Sequence, residues 1–153
     1  MNWKLTFLGG LAFYAVTWLV SMVNGPLIHE GVLLESYKAT ATFWRPELMQ
    51  VPPDMAALLP RWIATGLVGA FIVAALYGIV HSSLTGSGLA RGAKYGFGVF
   101  LICATAMAGW SGVFNLPDKI WWWWALDALT MYVVGGAVMG WAAGRWWLPA
   151  RAG

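Results

Sequence analysis

Four long stretches with no charge, or with a single one, constrain what this chain can fold into. They run over residues 5–23, 62–80, 95–116 and 120–144. Each is close to the roughly 20 apolar residues that cross a bilayer as a helix. The chain is 60% hydrophobic and only 10% charged, whereas a soluble globular protein carries about 25% charged residues. We therefore predict an all-α integral membrane protein with four transmembrane helices.

The boundaries of these helices follow from the proline, glycine and charged residues that flank the apolar stretches. We expect helices over about residues 4–24, 61–81, 92–116 and 119–145. Residues 25–60 are the one sizeable piece outside the membrane, and apolar residues at helical spacing between Glu30 and Trp44 predict a short amphipathic helix on the membrane surface. Residues 1–153 then form a single membrane domain.

The second and fourth apolar stretches resemble each other at a fixed offset, so that Trp62 corresponds to Trp124 and Gly78 to Gly140. The first and third stretches also end alike, at Pro26 and Pro117, and proline disfavours helix in the residue before it. This pattern predicts two tandem hairpins related by a pseudo-two-fold axis along the membrane normal. Chance similarity between two apolar helices is the alternative explanation.

Lysine and arginine residues near the helix ends predict the orientation. With a cytoplasmic N-terminus, the inner side holds Lys4, Arg91, Lys94, Arg145 and Arg151, and the outer side holds Lys38, Arg45, Arg61 and Lys119. We predict a multi-pass protein of the inner (plasma) membrane with both termini cytoplasmic. The basic residues are dispersed, which argues for contact with membrane lipid and against a nucleic-acid partner.

Most of the 12 tryptophans lie near the predicted helix ends, as aromatic belts do at both membrane surfaces. The predicted interface anchors are Trp121, Trp122, Trp123, Trp124, Trp146 and Trp147. Four successive tryptophans point all round a helix. Some of them must therefore contact protein instead of lipid.

Small residues recur at every fourth position, which lets membrane helices approach closely. The predicted packing residues are Gly66, Ala70, Ala74, Gly78, Gly136, Gly140 and Gly144. Gly136 lies about 180° from Asp127 around the fourth helix at roughly 100° per residue. We expect one of these two opposed faces to pack inside the bundle and the other to meet a second subunit, in a homo-oligomer or a larger membrane complex.

Asp127 is the only charged residue inside any of the four apolar stretches. A carboxylate at the bilayer centre costs roughly 2.5–3.5 kcal/mol on insertion scales, so it marks a candidate site. The repeat places Thr65 at the corresponding position, and other polar residues fall in the same layer. The candidate polar site consists of Asp127, Thr65, Asn115, Asn24, Ser111 and Ser21. It is either a cation or proton site or a structural carboxyl group that is hydrogen-bonded to Thr65, Asn115 or a backbone carbonyl.

The sequence gives little support to other chemistry. His29 and His81 are predicted on opposite sides of the membrane, so they cannot hold one metal ion or haem together. His29 with Glu30 and Glu35 is a loosely spaced set for a metal. The single cysteine, Cys103, excludes a CxxC redox pair. We therefore predict no catalytic residues, no metal and no cofactor.

Three functional hypotheses are compatible with these patterns. The first is a non-enzymatic accessory or scaffold subunit of a membrane complex. The alternative is a small transporter or channel for a cation or proton that uses the layer around Asp127. The third is a protein that binds a lipid, a quinone or a pigment between its hairpins. The surroundings of Asp127 discriminate among them.

Overall fold

The computed structural model describes residues 2–147, so the predictions for Arg151 and the C-terminus lie outside the described residues. Four helices are long and apolar enough to cross a membrane: Leu5–Val32, Met55–Ser83, Gly88–Ser111 and Asp118–Trp147. Between residues 2 and 147 the chain contains helices and turns and no strand. The prediction of an all-helical, multi-pass membrane protein with four spans is confirmed.

The spans combine α-helix with short segments of other winding. The α-helices are α1 (Gly10–Asn24), α2 (Leu34–Ala39), α3 (Met55–Val80), α4 (Gly88–Ser111) and α5 (Asp118–Ala142). The first span adds π-helical segments at Leu5–Gly9 and Gly25–Val32, and the last adds one at Ala143–Trp147. Short 3₁₀ turns lie at Ala41–Phe43, Pro46–Met49 and His81–Ser83.

Helix α5 occupies the middle of the packing arrangement. It contacts α4 on one side and α1 on the other, and α1 also packs against α3. Residues 25–60 and 112–118 form one end of the bundle, called here the loop end. Residues 2–5, 81–91 and 141–147 form the other, the terminal end, where Asn2 Nδ2 donates a hydrogen bond to the carbonyl of Trp147 at 3.0 Å.

The apolar core of the bundle lies between α1, α3 and α5. Its buried members are Leu5, Phe13, Ala70, Ala74, Tyr77, Met139 and Ala143. The predicted small residues of α3 face the first span, because a methyl group on Gly66 would meet the Tyr14 ring at 2.6 Å and one on Gly78 would meet Leu5 at 3.3 Å. Small residues on α3 therefore make room for large side chains of the first span.

The first span is longer than predicted. We expected it to end at residue 24 before Pro26, but the helix continues through Gly25–Val32. It does so by widening to π winding, in which hydrogen bonds join residues five apart, as shown by the bond from the Leu33 N–H to the Ile28 carbonyl at 2.8 Å. The wider winding accommodates a proline that has no N–H to donate. The predicted surface helix is correspondingly reduced to α2 and the 3₁₀ turns after it.

Helix α3 also begins earlier than predicted. It was expected to start at about residue 61, but it starts at Met55, because the side chain of Asp54 accepts a hydrogen bond from the Ala57 N–H at 3.1 Å and caps it. Ser87 caps α4 in the same way through the Ala90 N–H.

Helices α4 and α5 are in backbone contact along a row of glycines. A methyl group built on Gly92 would collide with the carbonyl of Gly136, and one on Gly140 would collide with the carbonyl of Gly88. The glycine face of α5 is thus covered by α4, and its Asp127 face is covered by α1. Both specialised faces are occupied within one chain, so they no longer argue for a second subunit.

The pseudo-two-fold relation between the hairpins is not confirmed by this packing. Helices α4 and α5 touch through glycine backbone, whereas α1 and α3 meet through side chains such as Tyr14 against Gly66. The pair of α4 and α5 and the pair of α1 and α3 therefore do not pack in the same way.

We expect Gly92→Ala to lower the free energy of unfolding by about 1–3 kcal/mol, because its methyl group has no space against the Gly136 carbonyl. Gly98→Ala is the matched control, since a methyl group at Gly98 on the same helix meets nothing within 4 Å. That control should leave stability unchanged or raise it by up to about 1 kcal/mol. Unfolding in mixed detergent micelles, followed by circular dichroism, measures both. Equal stability of the two variants would contradict the backbone contact.

Candidate functional site

Asp127 lies on α5 and faces the first span, not the lipid. Asn24 Nδ2 donates a hydrogen bond to Asp127 Oδ1 at 2.6 Å, and His29 Nε2 lies 3.3 Å from Asp127 Oδ2. The Asp127 side chain is only 13% exposed, whereas that of His29 is 36% exposed. Both oxygens of the carboxyl group are thus held by one neighbouring helix.

Asn24 also bonds to a second residue of α5, Thr130. Its Nδ2 group, which carries two protons, lies 2.8 Å from Thr130 Oγ1 as well as 2.6 Å from Asp127 Oδ1. Thr130 Oγ1 in turn donates to the Asp127 carbonyl at 2.8 Å. Both N–H groups of the Asn24 side chain are therefore bonded to residues on one turn of α5.

The π winding after Asn24 explains how two residues of one helix reach the same carboxyl group. Asn24 and His29 are five residues apart, which in an α-helix places them about 140° apart at roughly 100° per residue. In the π-helical segment Gly25–Val32, hydrogen bonds join residues five apart, which therefore lie closer to one face than they would in an α-helix. The winding that passes Pro26 thus also aligns Asn24 with His29.

His29 connects Asp127 to α2 through Tyr37. His29 Nδ1 is 2.7 Å from the Tyr37 hydroxyl, and Trp124 Nε1 donates to the same hydroxyl at 2.7 Å. An indole N–H can only donate, so the Tyr37 oxygen accepts there and its own proton is free to go to His29 Nδ1. His29 then carries its proton on Nε2 and directs it at Asp127. This tautomer of His29 follows from which groups in the network can donate a hydrogen bond.

These contacts define the Asp127 network, whose members are Asp127, Asn24, Thr130, His29, Tyr37 and Trp124. In the assigned arrangement, each donor from Trp124 through Tyr37 and His29 points toward the carboxylate. Tyr37 lies outside the membrane spans. Its pKa is raised above the usual value because burial disfavours the phenolate; the hydrogen bond from Trp124 lowers this pKa and the charge of Asp127 raises it. Tyr37 therefore holds a proton at neutral pH.

An apolar cluster covers the network at the loop end. Its buried members are Ile28, Leu33, Leu116 and Ile120, with Tyr37, Trp44, Trp121, Trp123 and Trp124 packed around them. Of the four successive tryptophans, Trp122 is 76% exposed and points away from the bundle. Trp121 and Trp124 instead pack edge to face with ring centroids 5.6 Å apart.

The network is closed toward the terminal end. One turn below Asn24, Ser21 Oγ lies 3.1 Å from the sulfur of Met131. Further along, Phe13 packs against Gly135, and Met139 is fully buried. Within residues 2–147, the side chains that join Asp127 by hydrogen bonds to α2 are His29 and Tyr37, at the loop end.

The structure brings together some of the predicted site residues and separates others. Asn24 bonds directly to Asp127, and Ser21 lies one turn away on the same interface. Thr65 and Ser111 are exposed and donate to carbonyls of their own helices, those of Arg61 and Ala108. Asn115 is exposed in the turn between α4 and α5. The repeat had paired Thr65 with Asp127. Helix α3 packs mainly against α1, and this keeps Thr65 away from Asp127.

Sequence reasoning missed His29, Tyr37 and Thr130. His29 was placed in an outer loop because the first helix was expected to end before Pro26. Thr130 was identifiable, because it lies three residues after Asp127 and such residues are neighbours on a helix. Tyr37 carried no comparable signal, since its position depends on the fold of residues 33–44.

Two further features bear on ligands. Between residues 2 and 147 there is no group of three or more His, Cys, Asp or Glu side chains that could hold a metal ion. An apolar groove of about 300 Å³ lies beside the tryptophan run, lined by Phe43, Met107, Trp110, Phe114, Leu116, Trp121 and Trp124. This groove is the place where the hypothesis of a bound lipid, quinone or pigment can be tested.

Comparisons with models of known protein families, with curated proteins and with solved structures found no match. The candidate functional site of this chain is the Asp127 network.

We expect Asn24→Ala to lower the free energy of unfolding by about 1–3 kcal/mol, because it removes the donor from Asp127 Oδ1 and leaves a partly buried acceptor without that bond. Asn115→Ala is the matched control at an exposed position, and it should change stability by less than about 0.5 kcal/mol. Detergent unfolding of the two variants gives the comparison. If Asn24→Ala is as stable as the control, the hydrogen bond does not hold α1 against α5.

Proposed function

We propose that this protein is a small proton-coupled membrane transporter in which the Asp127–His29 pair takes up and releases a proton on the side that the loop end faces. The observation that carries the proposal is the contact between the intramembrane carboxyl group and a partly exposed imidazole. Intramembrane carboxyl groups of this kind are typical of proton relays and ion pathways. Imidazole is the side chain that ordinarily exchanges protons near neutral pH.

The network supplies a balanced route for one proton. His29 Nε2 passes its proton to Asp127 Oδ2, His29 Nδ1 takes the proton of the Tyr37 hydroxyl, and Tyr37 takes a proton from a hydronium ion, which leaves as water. One proton from solvent thus ends on Asp127, and Tyr37 is protonated as before. His29 now carries its proton on Nδ1, so a flip of the imidazole ring has to precede the next transfer. The exchange is concerted, because the raised pKa of Tyr37 disfavours a free phenolate.

Protonation weakens the attachment of the first span to α5. A hydrogen bond to a charged acceptor is roughly twice as strong as one between neutral groups, so the bond from Asn24 to Asp127 weakens when the carboxyl group becomes neutral. The same segment is held in π winding, which is common at functional sites in helices. Rewinding of Gly25–Val32 would move His29 away from Asp127, which gives the site two states.

A transport cycle needs the second state because the resting interface is closed. Phe13 and Met139 fill the space between Asp127 and the terminal end. Release of α1 from a protonated Asp127 opens this interface, as conformational gating around a fixed site requires. Coupling between protonation and helix movement is thus part of the proposal.

The accessory-subunit hypothesis loses one of its arguments, the two opposed faces of α5, since α4 and α1 occupy both of them; the tryptophan belts and residues 25–60 still support it. This hypothesis stays a prediction. Measuring the mass of the purified protein in detergent tests it. A stable complex with a second subunit would favour it.

The proposal predicts proton flux that depends on Asp127. In proteoliposomes with an internal pH-sensitive dye and an imposed membrane potential, the native chain should carry protons. Asp127→Asn should reduce the flux to that of empty liposomes. His29→Gln should reduce the flux by about tenfold or more, because glutamine keeps an amide donor but exchanges no proton.

Asp118→Asn is the matched control, since Asp118 is an exposed carboxyl group in the first turn of the same helix. It should carry protons like the native chain. Circular dichroism and gel filtration check that each variant is folded. Native flux in folded Asp127→Asn would refute the proposal.

A further inference from the structure

Acidic residues are confined to one part of this chain, whereas basic residues occur at both ends of the bundle. The six acidic residues are Glu30, Glu35, Glu47, Asp54, Asp118 and Asp127, and all lie at the loop end or in the first half of α5. The terminal end carries the basic residues Lys4, Arg91 and Arg145, and Lys94 lies next to it on α4. No Asp or Glu side chain is therefore available at the terminal end to neutralise them.

Two of these basic residues border one cavity of about 270 Å³ between the start of α4 and the end of the last span. The cavity is lined by Ser87, Gly88, Arg91, Trp141, Gly144 and Arg145. Arg91 and Arg145 come from different helices, so their guanidinium groups approach it from two sides. We call this the Arg91–Arg145 pocket.

Among the described residues, the Arg91 Nε atom has no protein partner of the kind that Lys94 and Arg45 have. Lys94 Nζ donates to the carbonyl and the hydroxyl of Thr85 at 3.1 and 3.0 Å. Arg45 pairs with Glu47, and the ion pairs found within residues 2–147 all lie at the loop end. In contrast, Arg91 Nε is buried with no hydrogen-bond partner among those residues.

Glycine keeps the pocket open. A methyl group on Gly144 would lie 3.5 Å from Gly88 Cα and 3.9 Å from Arg91 Nη2. The Arg91 guanidinium therefore lies beside Gly144, and a larger side chain at that position would extend into the cavity. Arg145 is exposed, so the cavity is open on that side.

We propose that the Arg91–Arg145 pocket binds the phosphate group of an anionic phospholipid. Guanidinium groups present a fork of N–H donors that matches phosphate oxygens. Basic pockets between membrane helices are sites for anionic headgroups. The N-terminus of the long helix α4 adds partial positive charge at Gly88.

The surroundings of the pocket favour a lipid over soluble phosphate. Trp141 lines the pocket and is about half exposed, as are Leu89 and Phe97 along α4. Exposed tryptophan and apolar side chains next to arginine are typical of the membrane interface. A headgroup in the pocket would leave its acyl chains against these residues.

Native mass spectrometry with added phosphatidylglycerol or phosphatidylcholine tests the proposal. The native chain should retain phosphatidylglycerol at least about tenfold more tightly than phosphatidylcholine, since one charge-assisted hydrogen bond is enough for that ratio. The double variant Arg91→Gln/Arg145→Gln should lose this preference. Arg61→Gln/Lys119→Gln removes the same charge at other positions and should keep it.

A second variant changes the shape of the pocket and leaves its charge unchanged. Gly144→Leu keeps both arginines but fills the cavity, so it should also lose phosphatidylglycerol. Equal retention of both lipids by the native chain, equal loss in both double variants, or full retention by Gly144→Leu would overturn the proposal. Inorganic phosphate that displaces phosphatidylglycerol at equal concentration would overturn the lipid assignment and give the site to soluble phosphate.

Discussion

The hydrogen bond from Asn24 to Asp127 is the interaction on which the loop end of this bundle depends. A carboxyl group at membrane depth has no water to solvate it, so its oxygens need donors from the protein. Asn24 and His29 supply them, both from the first span. This requirement accounts for the close contact of α1 with α5, and it explains why the helix continues past Pro26 in π winding.

The opposite face of α5 follows another constraint. Membrane helices gain little from apolar burial alone, because lipid is as apolar as the bundle interior, and close backbone contact takes its place. Gly92 and Gly140 provide that contact between α4 and α5. Helix α5 is thus rigidly attached to α4 on its glycine face and attached to α1 through polar groups on the other. Only the second attachment can respond to a proton.

The sequence was sufficient for the four spans, because length and apolar runs are local signals. An isolated charge is a local signal too, and it singled out Asp127 as a candidate that stays a prediction. The sequence was not sufficient for the partners of Asp127. The repeat suggested Thr65, but α3 packs against α1, and Thr65 bonds within its own helix. His29 was misplaced because π winding past a proline depends on tertiary contacts such as the Asp127 carboxyl group, which no local rule on proline includes.

Proton uptake by Asp127 is the central claim, and infrared difference spectroscopy between neutral and acidic pH tests it directly. Acidification protonates the exposed carboxyl groups as well, so the account predicts one component of the carbonyl band that Asp127→Asn removes and Asp118→Asn keeps. An acid-induced band that is identical in the native chain and in folded Asp127→Asn would contradict the account.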